Sequence, residues 1–190
     1  MDFKTYAIET FEIAQWNVLK AIFRLHPEDF TRSISPDFND IRWMIGHLTN
    51  HMDSIFNYRC QGKRVLDKKM IEFFSTGAAK APDRGEFPLS IKKLIDFYLE
   101  ISNSSIDYLT NLAEEKFDDL PDFGENNTET IIEMLQRITL HLLGHVGQIY
   151  NIKRMIGKGG YFVAGVKKKM REDSKAKWLK WWNDNKEKYT

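Results

Sequence analysis

Four long segments of the chain carry apolar residues at the spacing of an α-helix, and this periodicity constrains the fold more than any other feature. In the first segment one stripe is formed by Phe3, Ala7, Phe11, Ala14, Val18 and Ile22. The second runs from about residue 39 to 61, the third from about 90 to 113, and the fourth from 130 to 157. The alternation typical of strands is missing from the sequence except in the short run YFVAGV. We therefore predict an all-α four-helix bundle.

Residues that start and stop helices support these boundaries. Thr130 and Glu133 have the spacing of a capping box, and Gly157 provides a stop for the fourth helix. Residues 62–88, between helices two and three, contain glycine and proline and only scattered apolar positions. We predict a long loop there, with a short helix around residues 66–74.

The C-terminal part of the chain differs in charge from the rest. Residues 158–190 contain ten Lys or Arg against four Asp or Glu, a net charge of +6, although the whole chain carries only +1. A helix predicted over residues 173–188 contains three tryptophans, Trp178, Trp181 and Trp182. We divide the chain into a bundle, residues 1–160, and an extension, residues 161–190, that packs on the bundle or on a second copy. Because tryptophan is enriched at interfaces, we expect a homodimer.

Several function classes do not fit the sequence. The net charge of +1 argues against a dedicated nucleic-acid binder, and no apolar run approaches the roughly 18 residues of a membrane span. The lysines and tryptophans of the extension would also suit a membrane surface or a nucleic acid, but packing on protein is the commoner role of such a helix. The N-terminus does not resemble a secretion signal, and the lone Cys60 offers no internal disulfide. We expect a cytoplasmic protein with neither nucleic-acid nor membrane partners.

Four of the five histidines form two pairs at i, i+4 spacing, His47 with His51 and His141 with His145. Random placement would give roughly 0.1 such pairs. Four residues bring two side chains to one helix face about 6 Å apart, where two imidazoles can bind one ion. Both pairs lie on faces predicted to point into the bundle, where imidazole nitrogens need partners. A divalent metal ion would satisfy all of them.

A structural role is the main alternative for these histidines. A single inward histidine is more often a hydrogen-bonded core residue, and one HxxxH pair alone is weak evidence for a metal. Di-iron carboxylate bundles require Glu-x-x-His motifs, and no Glu stands three residues before a His in this chain. The HExxH motif is also missing from the sequence. The residues therefore favour a histidine-rich site for one divalent transition metal, zinc, nickel or iron.

The segments RWMIGHLTNHMDSI and HLLGHVGQIYNIKRMIG resemble the DinB/YfiT-like family of metal-dependent enzymes. The shared features are a histidine early in the second helix and an HxxxH-x-G-Q signature on the last long helix, within a likeness that covers about residues 1–160. The resemblance implies three metal ligands, His47, His141 and His145. It also implies a bundle with a long crossover between helices two and three, for which residues 62–88 would serve.

The resemblance further implies an activity. Family members of known function include thiol-dependent transferases and isomerases that use low-molecular-weight thiols, and others are described as metal-dependent hydrolases. A small-molecule substrate, with a water or thiol activated by the metal, is therefore implied. His51 is then a fourth ligand, a general base or an outer contact, and Gln148 orients a ligand. The remaining residues expected around the pocket are Trp43, Asn50 and Tyr58.

One departure from the family pattern is visible, because Val146 stands where relatives often carry an arginine. This leaves the preference for anionic substrates open. The competing interpretation of the whole chain is a non-catalytic bundle that holds a metal for stability or sensing, or binds a partner. A closed site with four histidine ligands, including His51, would favour that interpretation.

Overall fold

The computed structural model describes residues 2–75, 77, 85–125 and 127–190. All regular structure in these residues is helical, as predicted, and YFVAGV forms no strand. The α-helices are α1 Phe3–Ile22, α2 Pro27–Phe30, α3 Ile41–Met52, α4 Lys68–Phe74, α5 Ile91–Asn111, α6 Ile131–Met155 and α7 Lys168–Asn185. A π-helical segment, Asp53–Arg59, continues α3, and 3-10 turns cover Glu114–Asp118 and Lys186–Tyr189.

Side-chain caps place the starts of the helices close to the predicted positions. Asp40 begins α3, where its carboxylate accepts a hydrogen bond from the Trp43 backbone N–H at 2.7 Å. Thr130 and Glu133 form the predicted capping box of α6, in which the Thr130 N–H donates to the Glu133 carboxylate at 2.8 Å. The short helix predicted around residues 66–74 is α4. Residues 76 and 78–84 of the predicted loop lie outside the described residues.

The bundle consists of α1, α3, α5 and α6, in which α1 and α3 each pack against both α5 and α6. Side-chain contacts fix the relative directions of α3 and α5. Asn57, just after α3, accepts a hydrogen bond from Ser104 at 2.9 Å, and farther along both helices Cys60 lies against Tyr108. The two helices therefore run parallel. Parallel neighbours cannot be joined by a short turn, so the segment predicted as the long crossover, residues 62–88, joins them as one.

The helices α3 and α6 run antiparallel, and this arrangement positions the histidines. His47 lies against His145, whereas Arg59, more than two turns later in the chain, reaches Met134, nearer the start of α6. The helices α1 and α6 run parallel, because Lys153, near the end of α6, donates to the carbonyl of Ala21, near the end of α1. The order is thus up, down, down, up.

The C-terminal extension packs on its own bundle. Trp178 and Trp182 are 1% and 2% exposed, and the Trp182 indole N–H donates to Asp96 of α5 at 3.3 Å. The helix α7 begins at Lys168 rather than at residue 173, because Lys168 pairs with Glu9 of α1 and supports the additional turn. The expected homodimer stays a prediction: of the three tryptophans on which it was based, Trp178 and Trp182 are buried within one chain and Trp181 is half-buried.

None of the helices in the described part of the chain combines the length and the apolarity that crossing a membrane requires.

Candidate metal centre

Three of the predicted site residues come together between α3 and α6. His47 is on α3, and His141 and His145 are one turn apart on α6. One ring nitrogen of each lies within 4.8 Å of those of the other two, and the two Nε2 atoms of His141 and His145 are 2.9 Å apart. His47 is buried and the other two are half-buried. The cluster therefore opens toward one side.

These separations are close to those around a metal ion. Two nitrogens that bind a tetrahedral zinc ion at 2.0–2.1 Å are about 3.4 Å apart. The Nε2 atoms of His141 and His145, at 2.9 Å, are slightly closer than that. A ring nitrogen of His47 lies within 4.8 Å of a ring nitrogen of each of the other two. The residues present fit a mononuclear site with three histidine ligands.

The crossover holds His47 in one orientation. Its Nδ1 lies 2.7 Å from the carbonyl oxygen of Phe74, at the end of α4. A carbonyl can only accept, so Nδ1 carries the proton and Nε2 has the lone pair that a metal requires. The Trp43 indole stacks on the His47 ring at 4.6 Å and donates to the carbonyl of Phe73. Gly46 permits this packing, because a Cβ there would lie 2.1 Å from the Phe74 ring.

His51 lies beside the cluster without joining it. Its ring centroid is 4.4 Å from that of His47 and 4.6 Å from that of His141, in both cases edge-on. Among the described residues, the group of ligand atoms close enough to share one ion consists of the other three histidines. The arrangement therefore differs from a closed four-histidine site.

Burial keeps these imidazoles neutral. It lowers the pKa of His51 to about 3 and the pKa values of His141 and His145 to about 4, and the neighbouring histidines add to the effect. The Gln148 side chain interacts with His145 and raises its pKa in part. Near pH 7 each of these three rings is consequently neutral, with one protonated nitrogen and one nitrogen whose lone pair can bind a metal. Gln148 itself is exposed.

One of the other residues predicted for the pocket lies elsewhere, and so does Val146, which marked the departure from the family pattern. Tyr58 is 41% exposed, because the π-helical segment after α3 has more residues per turn and shifts the inward stripe away from it. Val146 is completely buried in the bundle, so its position faces the core. Asn50 lies near His51 and accepts a hydrogen bond from Arg64 at 2.8 Å.

A cleft of about 310 Å³ opens beside His51, and its walls are formed by Asn50, His51, Ser54, Arg64, Ile71 and Ser75. Arg64 was missed in the sequence because it lies in the crossover, where no helical spacing links it to the histidines. The one available signal was a cation shortly after the Gly62 break. A larger open groove of about 690 Å³ lies along α5, and no histidine lines it.

Comparisons with known proteins agree with this geometry. The solved structure of a conserved protein from Enterococcus faecalis has a TM-score of 0.59 and 14% sequence identity, over 82% of this chain and 98% of that chain. At this identity the likeness shows the fold alone. A search of curated proteins found no match. The model of the DinB superfamily matches residues 10–149, which include both histidine-bearing helices, and the chain belongs to the DinB superfamily.

Proposed function

We propose that the protein binds one divalent transition-metal ion through His47, His141 and His145 and uses it on a small-molecule substrate, as a hydrolase or a thiol-dependent transferase. The observation that carries this proposal is the convergence of three imidazole nitrogens within 4.8 Å beside an open cleft. Zinc, nickel and iron all accept imidazole ligands, so each is a candidate for the ion. Membership of the DinB superfamily supports the same chemistry.

Each residue around the cluster has a distinct task in this proposal. His47, His141 and His145 would hold the divalent ion, which would supply a lowered pKa to a bound water or thiol. The Phe74 carbonyl orients His47 and increases its basicity as a ligand. His51 faces both the cluster and the cleft, where it can hydrogen-bond a ligand. Gln148 hydrogen-bonds to His145 from the exposed side and orients its ring.

A thiol used in such a reaction would have to come from a second substrate. Cys60, the one cysteine of the chain, is buried, and burial raises the pKa of its thiol to about 11. The thiolate is the reactive form of cysteine, so Cys60 is inert at neutral pH. This agrees with a low-molecular-weight thiol as a candidate substrate.

The first test is elemental analysis of protein purified without a metal-affinity tag. We expect about one ion per chain in the wild type and a large loss in His47→Ala and in His145→Ala. The exposed His26 lies outside the cluster, so His26→Ala is the matched control and should retain the metal. Equal metal content in all four proteins, or none in the wild type, would contradict the proposal.

A second test separates an enzyme from a non-catalytic metal holder. Turnover of thiol-conjugation and hydrolysis substrates is measured with and without the ion, and the coordination number is measured by X-ray absorption. Metal-dependent turnover with three histidine ligands supports the enzyme. Four protein ligands without turnover would support the alternative, a bundle that holds a metal for stability, sensing or partner binding.

A further inference from the structure

Arg64 places a cation in the wall of the cleft beside His51. Its side chain is 23% exposed, its Nη2 donates to the Asn50 side-chain oxygen at 2.8 Å, and its Nε lies 3.4 Å from a carboxylate oxygen of Asp53. A guanidinium carries five N–H donors. Asn50 and Asp53 account for only part of this capacity, so Arg64 can also donate to a ligand in the cleft.

The segment that carries Arg64 is fixed in place by a buried carboxylate. Asp53 is fully buried and accepts hydrogen bonds from the backbone N–H groups of Val65 and Leu66, both at 3.1 Å. The side chain of Asn57 donates to the same carboxylate at 2.9 Å. The two backbone bonds hold the residues directly after Arg64, and the Asn57 bond holds the Asp53 carboxylate itself. The guanidinium is therefore preorganised before any ligand arrives.

The charge of the cleft favours an anion with a single negative charge. Among the residues that the structure describes, no carboxylate lines the cleft, and Arg64 is the charged side chain in that lining. Asp53 is fully buried and is not among the lining residues, so an anion bound to Arg64 would lie nearer to the guanidinium than to the Asp53 carboxylate, which offsets the charge of Arg64 in part. A dianion such as phosphate would call for a second cation. One planar guanidinium matches the two oxygens of a carboxylate.

The size of the cleft limits the ligand. A volume of about 310 Å³ corresponds to about ten water molecules at liquid density. A small organic acid of about ten non-hydrogen atoms fits this space. Because the cleft opens on His51, whose ring contacts His47 and His141, such an acid would lie next to the histidine cluster.

We propose that this cleft binds the carboxylate of a small organic acid and that Arg64 is the specificity-determining residue for it. The inference rests on the proposed function, because it places the acid beside the metal as substrate.

The test measures binding of benzoate and of its neutral isostere benzamide by isothermal titration calorimetry, with zinc-loaded and metal-free protein. We expect the wild type to prefer benzoate, and Arg64→Gln to weaken benzoate binding by about ten- to a hundredfold without changing benzamide binding. Arg64→Lys, which keeps a positive charge beside Asp53, should weaken benzoate binding less than Arg64→Gln does. Arg42→Gln is the matched control, because Arg42 stacks on Phe87 outside the cleft.

A second variant covers the case in which Arg64→Gln fails to fold. Ser54→Leu narrows the cleft from the π-helical segment without removing the Arg64–Asp53 pair, and it should abolish benzoate binding. Equal benzoate affinity in the wild type and in both variants would overturn the inference, as would inorganic phosphate that binds more tightly than benzoate through Arg64.

The two proposals fail in different ways. A wild-type protein that binds no metal but still binds benzoate through Arg64 would refute the proposed function and leave the carboxylate site standing. A metal-loaded protein whose benzoate affinity does not depend on Arg64 would refute the carboxylate site alone.

Discussion

The orientation of His47 depends on residues outside its own helix. The carbonyl of Phe74 accepts its Nδ1–H, and the Phe74 ring lies directly over Gly46, where no side chain keeps it away. Outer hydrogen bonds of this kind commonly change metal affinity by about 10–100-fold. The smallest residue of α3 therefore contributes to the metal site through packing.

Substituting Gly46 tests this contribution. In Gly46→Ala the new Cβ would lie 2.1 Å from the Phe74 ring, so Phe74 must move and its carbonyl with it. We expect metal affinity, measured by competition with a chelator, to fall about 10–100-fold although every histidine is retained. Gly144→Ala is the control, because its Cβ meets nothing within 4 Å although it lies next to His145. Unchanged affinity in Gly46→Ala would show that the Phe74 carbonyl is not needed.

The half-buried histidines make the metal-free protein sensitive to acid. The folded-state pKa of His141 is about 4, below its ordinary value of about 6.5, so between these values the unfolded chain binds more protons. The free energy of unfolding should therefore fall as the pH drops from about 6.5 toward 4, with a slope of at most about 1.4 kcal/mol per pH unit for each such histidine. Urea denaturation across this pH range should show a shallower pH dependence for His141→Gln than for the wild type. If the stability of His141→Gln and of the wild type depended on pH with the same slope, the lowered pKa of His141 would be contradicted.

At the scale of single elements, the positions of side chains could be predicted where the helix is regular and not where it is interrupted. The helix α6 is an uninterrupted α-helix, so the HxxxH spacing of His141 and His145 translated directly into proximity. The helix α3 changes into a π-helix after Met52, and α-helical periodicity failed there, which is why Tyr58 faces outward. The crossover offered no periodicity at all. Its contribution to the site, Arg64 and the Phe74 carbonyl, depends on tertiary contacts that no local pattern encodes.

The π-helical segment also anchors the crossover, through Asp53. Asp53→Ala removes the acceptor for the N–H groups of Val65 and Leu66 and leaves them without their partner. We expect the free energy of unfolding to fall by about 1–3 kcal/mol or more, because Asp53 is fully buried. Asp173→Ala, at an exposed position of α7, should change it by less than about 0.5 kcal/mol. Chemical denaturation measures the free energy of unfolding of both variants. If Asp53→Ala were as stable as Asp173→Ala, the hydrogen bonds of Asp53 to the crossover would not be needed for stability.

At the scale of the whole molecule, the bundle could be predicted because four apolar stripes must be buried together. The stripes alone did not give the up, down, down, up order. That order came from the family resemblance, and physically it is required by contacts such as Asn57 with Ser104, which hold α3 parallel to α5. The docking of the extension was likewise open in the sequence, since a tryptophan face can pack on its own chain or on a second copy with similar energy per buried area.

The tryptophans of α7 provide the last test, and it separates folding from assembly. Trp182 is 2% exposed and packs against Trp178, Trp181 and Tyr189. Trp182→Ala should therefore lower the free energy of unfolding by about 3–5 kcal/mol, measured by urea denaturation. Metal content should stay the same, because neither the histidine cluster nor the cleft includes a residue of α7. Lys180→Ala, which removes an exposed neighbour, is the control. If Trp182→Ala instead kept wild-type stability but converted a dimer into a monomer in light scattering, Trp182 would serve a second copy of the chain.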